Sequence, residues 1–220
     1  LRGAIALVNL QCQWNEKLTS LNVNNNTALT QLNCNSNQLA SLDVSHNADL
    51  IELFCNNNKL TSLDISNNTA LTELSCGDNQ FTTLDVSNNT ALTSLLCTSN
   101  EQLTSLDLSQ NTALNYLAIL YTPITSLDLS HNTALTRLIL FDNKITNLDV
   151  SQNTALTELE CVNNQLTTLD LSHNTALTTL YCRNNQLTTL DVSKNNALIS
   201  LDCYGNKFDC DDLKKKIGLD

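Results

Sequence analysis

Nine cysteines, three histidines and twenty-two acidic residues are the side chains of this 220-residue chain with the chemistry to bind a metal or catalyse a reaction. Their spacing decides which of these is open to them. Cys12, Cys34, Cys55, Cys76, Cys97, Cys161, Cys182 and Cys203 fall in one column with a period of about 21 residues, and the two gaps in the column hold Ile119 and Leu140. A zinc site needs ligands that converge on one point, which a line of thiols does not supply. Isoleucine and leucine in the same column show that the position takes a buried apolar group, and a reduced thiol serves as a small hydrophobe. Disulfides along the line are disfavoured, because parallel in-register Cβ vectors make the bridge torsion hard to reach. His46, His131 and His173 share a repeat position but lie in non-adjacent repeats, so no two can share a metal.

Asp43, Asp64, Asp85, Asp107, Asp128, Asp149, Asp170 and Asp191 make a second column. Neighbouring carboxylates one strand spacing apart repel by about 0.9 kcal/mol even at the dielectric of water, or roughly 6 kcal/mol over the column. Hydrogen bonds from main-chain N–H groups and from the serines two residues on (Ser45, Ser66, Ser87 and their equivalents) are expected to offset this. Calcium is the alternative, but a ladder pointing one way offers too few converging oxygens for its shell. Glu158 and Glu160 project from one strand face about 6.5 to 7 Å apart, a separation at which paired carboxylates can cleave glycosides. The sequence shows no cleft, no nucleophile with a base and no cofactor motif, so a non-enzymatic protein without a cofactor is expected.

These columns exist because the chain repeats. QLNCNSNQLASLDVSHNADL (31–50), ELSCGDNQFTTLDVSNNTAL (73–92) and ELECVNNQLTTLDLSHNTAL (158–177) align without a gap, and ten copies begin at Leu7, Leu29, Leu50, Leu71, Leu92, Leu114, Leu135, Leu156, Leu177 and Leu198. Extra residues fall in NEKL (15–18) and NEQL (100–103), after the turn asparagine. Both half-units, L-x-x-L-x-C-x-x-N and L-x-x-L-D-V-S-x-N, alternate apolar and polar residues over about four positions, which is strand periodicity. Stacked in register they predict two parallel β ladders with about 4.8 Å per coil. Asparagine columns such as Asn37, Asn58 and Asn79, and Asn47, Asn68 and Asn89, are expected to be structural, since asparagine accepts left-handed geometry and bonds nearby main chain.

One domain without a linker is expected over residues 1–220, with repeats at 7–208 and a cap at 209–220, where Leu213 and Ile217 can close the rod on a short helix. A net charge of −11 counts against nucleic acid or an anionic membrane as partner, and no apolar run reaches membrane-spanning length. The chain starts at Leu1 rather than Met, as a processed product or an excised piece would.

The first half-unit is similar to the leucine-rich-repeat signature, with cysteine where the third leucine would stand. The whole of 7–208 resembles the bacterial variety in which two short leucine-rich units nest in each 21-residue repeat, called IRREKO repeats. That resemblance implies a mainly β, right-handed leucine-rich-repeat solenoid. It also implies a binding module that recognises macromolecules on its strand face, outside the cell or at its surface.

Binding residues are then sought where the repeat lets side chains vary. The stretch NYLAILYTPITSL (115–127) departs most from the pattern. Its strand sends Tyr116, Ala118, Leu120 and Tyr121 outward, replaces the turn asparagine by Thr122, and carries the chain's single proline, Pro123. Leu120, Phe141 and Val162 form an expected apolar stripe flanked by Leu96 and Ile139 and ringed by Arg137, Glu158, Glu160 and Arg183, with Tyr181 beside it. An exposed apolar patch with a polar rim is a usual interaction site. Tyr116, Leu120, Tyr121, Arg137, Ile139, Phe141, Val162, Tyr181 and Arg183 are therefore the candidate contacts to a protein or glycan ligand. A structural rod within a larger surface protein is the other reading.

Overall fold

In each copy the run L-x-C places two apolar side chains on one side of an extended backbone and polar ones on the other, which is the pattern of a half-buried strand. The computed structural model, which describes residues 4–209, has one such strand per copy. They are β1 (Asn9–Gln11), β2 (Gln31–Asn33), β3 (Glu52–Phe54), β4 (Glu73–Ser75), β5 (Ser94–Thr98), β6 (Tyr116–Leu120), β7 (Arg137–Phe141), β8 (Glu158–Glu160), β9 (Thr179–Tyr181) and β10 (Ser200–Asp202). All ten pair in parallel and in chain order in one sheet, each residue facing its counterpart one repeat away. The described residues contain no helix. The expected cap over 209–220 lies, beyond Asp209, outside them.

Each coil turns six apolar side chains and two asparagines inward. In the second coil these are Leu29, Leu32, Cys34, Leu39, Leu42, Val44, Asn37 and Asn47, all at most 7% exposed. A single coil cannot cover such a row from both sides, so stability comes from the stacking of neighbours. The first coil shows this from the other direction: Leu7, Leu10, Cys12, Leu18 and Leu21 occupy the same positions and are only partly buried. The eight described cysteines are free thiols, six of them fully buried. Burial holds Cys34 and Cys161 up to about 12 and raises Cys55 and Cys182 well above the ordinary thiol range.

The second ladder expected from the alternation does not form as a sheet. On that side the described residues form a single isolated bridge, Asn22 to Asp43, and no strand. Local bonds explain it. The N–H of Ser45 donates to the Oδ1 of Asp43 at 3.0 Å, and Ser66, Ser87 and Ser109 do the same to Asp64, Asp85 and Asp107, so the donor a ladder would need is taken within its own coil. The Val44 carbonyl accepts the N–H of Asn47 in a turn, and it is the Asn68 side chain that reaches it from the next coil, at 3.0 Å. Side-chain amides thus do the inter-coil bonding that main chain does in the sheet.

Candidate functional site: the strand face

The outward side chains of the sheet fall into three zones. On β1 to β4 the face is rich in amides that bond one another: Asn9 to Gln31, Asn56 Nδ2 to Asn35 Oδ1 at 3.0 Å, and Ser75 Oγ to Asn56 Oδ1 at 2.9 Å. From β5 to β7 it is largely apolar and aromatic. Charge enters with Arg137 at the start of β7 and prevails from β8 to β10, and there the ions are paired, Arg137 Nε with Glu158 Oε2 at 2.8 Å and Arg183 with Asp202 at 3.5 Å.

Most of the expected binding residues are gathered on the central zone, and the register sets them side by side: Tyr116 beside Arg137 beside Glu158, Leu120 beside Phe141, Ile139 beside Glu160 beside Tyr181. The Arg137 guanidinium lies 5.1 Å from the centre of the Tyr116 ring while it pairs with Glu158, so one cation ties three strands together. The Tyr121 and Phe141 rings meet edge to face, centroids 5.4 Å apart at 66°. Arg183 sits further along, on the charged zone.

The expected exposed stripe needs correction. Val162 is 2% exposed, Ala118 2% and Ile139 9%, while Leu120 and Phe141 are half-buried. Strands about 4.8 Å apart let each large outward side chain lean on the next, so an apolar row on a sheet face covers much of itself. What stays open is Tyr121, 51% exposed.

Tyr121 is also conformationally unusual. Its φ of +54° belongs to a column of left-handed residues, one at the end of each strand: Trp14, Ser36, Asn57, Asp78, Ser99, Tyr121, Asp142, Asn163, Asn184 and Gly205. Eight of these are small or polar, the types that accept this geometry, whereas a large side chain there is destabilised by roughly 1–2 kcal/mol. Trp14, 75% exposed at the first coil, is the other aromatic in the column.

Thr122 and Pro123 have a different origin. In regular coils the buried N–H two residues after the turn asparagine donates to the asparagine of the next coil, as Leu39 does to Asn58 Oδ1 and Leu60 to Asn79 Oδ1, both at 3.0 Å. In the fifth coil the extra residue lets Leu103 N–H close onto the Asn100 carbonyl instead, at 3.0 Å. The sixth coil then needs no asparagine to receive it. Its Thr122 is 4% exposed and donates its hydroxyl to Asn143 Oδ1 at 2.7 Å, while Pro123 removes an N–H that Lys59 and Gln80 use to bond the preceding coil. The insertion permits the irregular turn without dictating it: in the first coil Leu18 N–H closes onto the Asn15 carbonyl at 2.8 Å in the same way, yet the second coil keeps Asn37, whose oxygen takes the Asn15 N–H instead.

Electrostatics follow the same zones. Burial raises the Glu160 carboxyl above the ordinary glutamate range, and its hydrogen bond and repulsion with Glu158 add to this against Arg137 and Arg183. Burial, then the charge of Glu52, raises Glu73. These two face each other in register, and sequence reasoning missed them although the same E-L pair stands one repeat apart. The Asp column behaves as expected from its serines: hydrogen bonds from Ser66 hold Asp64 below the usual carboxylate range and outweigh the repulsion of Asp43 and Asp85.

A parallel sheet built one short strand per 21-residue coil, backed by a cysteine column and two asparagine columns, is the architecture of a leucine-rich-repeat solenoid. Solved structures bear this out. The functional domain of InlJ from Listeria monocytogenes, described as including a cysteine ladder, is 39% identical with a TM-score of 0.76, the match covering 91% of this chain and 49% of that one. An internalin, inlF, of the same organism is 28% identical with a TM-score of 0.83 over 90% of this chain and 62% of that one. A leucine-rich-repeat protein of Leptospira interrogans, at 24% identity and a TM-score of 0.73, shares the fold. The chain spans about half of the InlJ domain and under two thirds of the internalin. The LVIVD repeat family matches residues 54–77, about one repeat length. No curated protein matches the sequence.

Proposed function

We propose that the strand face of coils five to eight binds a macromolecule, protein or glycan, at a bacterial surface, without catalysis. Tyr121 and Phe141 are the aromatic anchors, Tyr116 flanks them, and Arg137 orients the partner. The observation that carries this reading is Tyr121: a half-exposed ring kept in a left-handed conformation that small residues fill in eight coils, with no bond in the fold that requires it. Strain of this kind collects at working surfaces. The InlJ and internalin likenesses support a binding module over an enzyme. A structural rod is the second reading, favoured by the way Ala118, Ile139 and Val162 are covered by their neighbours.

The double substitution Tyr121→Ser with Phe141→Asn separates the two. It brings both positions close to what other coils carry, so stability should stay within about 1 kcal/mol of the parent. Binding to a partner found on protein or glycan arrays should weaken by at least about 2 kcal/mol, the scale of a hot-spot residue. Unchanged binding by a folded variant would leave the rod as the better account.

A further inference from the structure

The sheet face supplies its own arginines where carboxylates crowd, except at one place. Glu158 has Arg137 at 2.8 Å and Asp202 has Arg183 at 3.5 Å. Glu52 and Glu73 face each other across β3 and β4, both half-buried, and among the described residues neither is met by a lysine or arginine. Two like charges a strand spacing apart are destabilising unless a cation joins them. Next to them the apolar zone begins, at Leu96 on β5, and runs to Phe141 on β7 and Tyr121 at the tip of β6. The face is thus an apolar floor with an unneutralised acidic end and a self-neutralised far end, in a chain of net charge −11.

We propose that the occupant of this face is a basic peptide segment crossing the strands, its lysine or arginine bridging Glu52 and Glu73 and an aromatic or large aliphatic residue packing on Tyr121 and Phe141. The proposal rests on the binding reading above and adds the chemistry and polarity of the partner. Glu73 is in register with Arg137 on β7, so Phe141 lies three strand steps across, about 14 Å, and four residues along, about 13 Å, which makes about 19 Å in all, a distance an extended peptide spans in about six residues. A guanidinium suits the acidic end, since its fork can give one N–H to each carboxylate.

The test is selection of a displayed library of random 12-residue peptides on the full 220-residue chain, with Glu52→Gln/Glu73→Gln and Tyr121→Ser/Phe141→Asn proteins selected in parallel. Circular dichroism and melting within about 2 °C of the parent confirm that both variants fold. The expected result is enrichment of lysine or arginine about five to seven residues from an aromatic. The glutamine variant should lose the basic preference and keep the aromatic one. A selected peptide should bind it at least tenfold more weakly and with a flatter dependence on salt between 50 and 300 mM. Basic enrichment that survives in the glutamine variant overturns the role of the acidic pair and leaves the binding reading standing. Aromatic enrichment that survives in the Tyr121/Phe141 variant overturns both. No enrichment, neutral or acidic peptides, or dimers of the chain itself abolished by Tyr121→Ser/Phe141→Asn would overturn the basic-peptide occupant.

Discussion

The two asparagine columns look alike in sequence, yet truncation should separate them by about 2 kcal/mol, and the third coil offers one of each kind. Asn58 gives its amide N–H groups to the carbonyls of Cys34, Cys55 and Asn56 at 3.0 to 3.1 Å and takes the N–H of Leu39 on its oxygen. Asn58→Ala leaves that N–H, in a residue with no exposure, without an acceptor. An orphaned buried donor costs about 1–3 kcal/mol and the lost donated bonds about 1 more, so roughly 3 kcal/mol is expected. Asn68 gives its amide to the carbonyls of Val44 and Asn47 at 3.0 and 2.8 Å, but its oxygen accepts nothing from the protein. Both carbonyls keep a main-chain partner after Asn68→Ala, the N–H groups of Asn47 and Leu50. No group is orphaned and one orphan disappears, so roughly 1 kcal/mol or less is expected. Asn68 is the more deeply buried of the two, 0% against 8% exposed, so cavity formation works against this ordering. Urea unfolding followed by circular dichroism reads the difference, with equal slopes required because repeat arrays can unfold piecemeal. If Asn68→Ala costs as much as Asn58→Ala, the oxygens of its column are paired, and the inference from their bonding fails.

Two further outcomes follow from the cysteine and aspartate columns. Native protein treated with a thiol reagent at pH 8 should react at the half-buried ends of the ladder, Cys12 and Cys203, and at Cys210 beyond the described residues. Cys34, Cys55, Cys76, Cys97, Cys161 and Cys182 should label only after unfolding, because none has exposed surface, and labelling of Cys55 in folded protein would refute the burial argument. For the aspartates the folded pKa lies below the usual 3.8 at Asp64, through its hydrogen bonds from Ser66. A depressed carboxyl stabilises the fold above the unfolded value and loses that contribution as pH falls through the folded one, so the effect of Asp64 should vanish below pH 3.8. Ser66→Ala should move the Asp64 carbon resonance titration upward toward 3.8, and an unmoved midpoint would show that the hydroxyl is not what holds it down.

The first ladder was legible because L-x-C alternation fixes which face is buried whatever the neighbours do, and Leu32, Leu53 and Leu74 sit where that predicts. The second half-unit alternates equally well. Its D-x-S element carried the contrary signal, since an aspartate that bonds the N–H two residues on withdraws it from any ladder, and the competing pattern won. Exposure on the strand face was not legible from one repeat at a time. Whether Val162 is open depends on Phe141 beside it, a relation between residues 21 apart.

The departures at Glu101–Gln102, Thr122 and Pro123 show how far a repeat constrains its own exceptions. Read along the chain they are three unrelated losses of pattern. Stacked, they meet at one junction, where the extra residue lets Leu103 N–H find a carbonyl in its own coil and so frees the next coil from carrying an asparagine. Stacking therefore permits the turn, and it accounts for the inward Ile119 and Leu140 that keep the cysteine column apolar. It does not account for Tyr121, whose position accepts serine, asparagine, aspartate or glycine elsewhere and whose ring contributes an edge contact to Phe141 while half of it faces solvent. An irregularity that the fold explains is evidence about the fold, and the part left over is where a partner has to be sought.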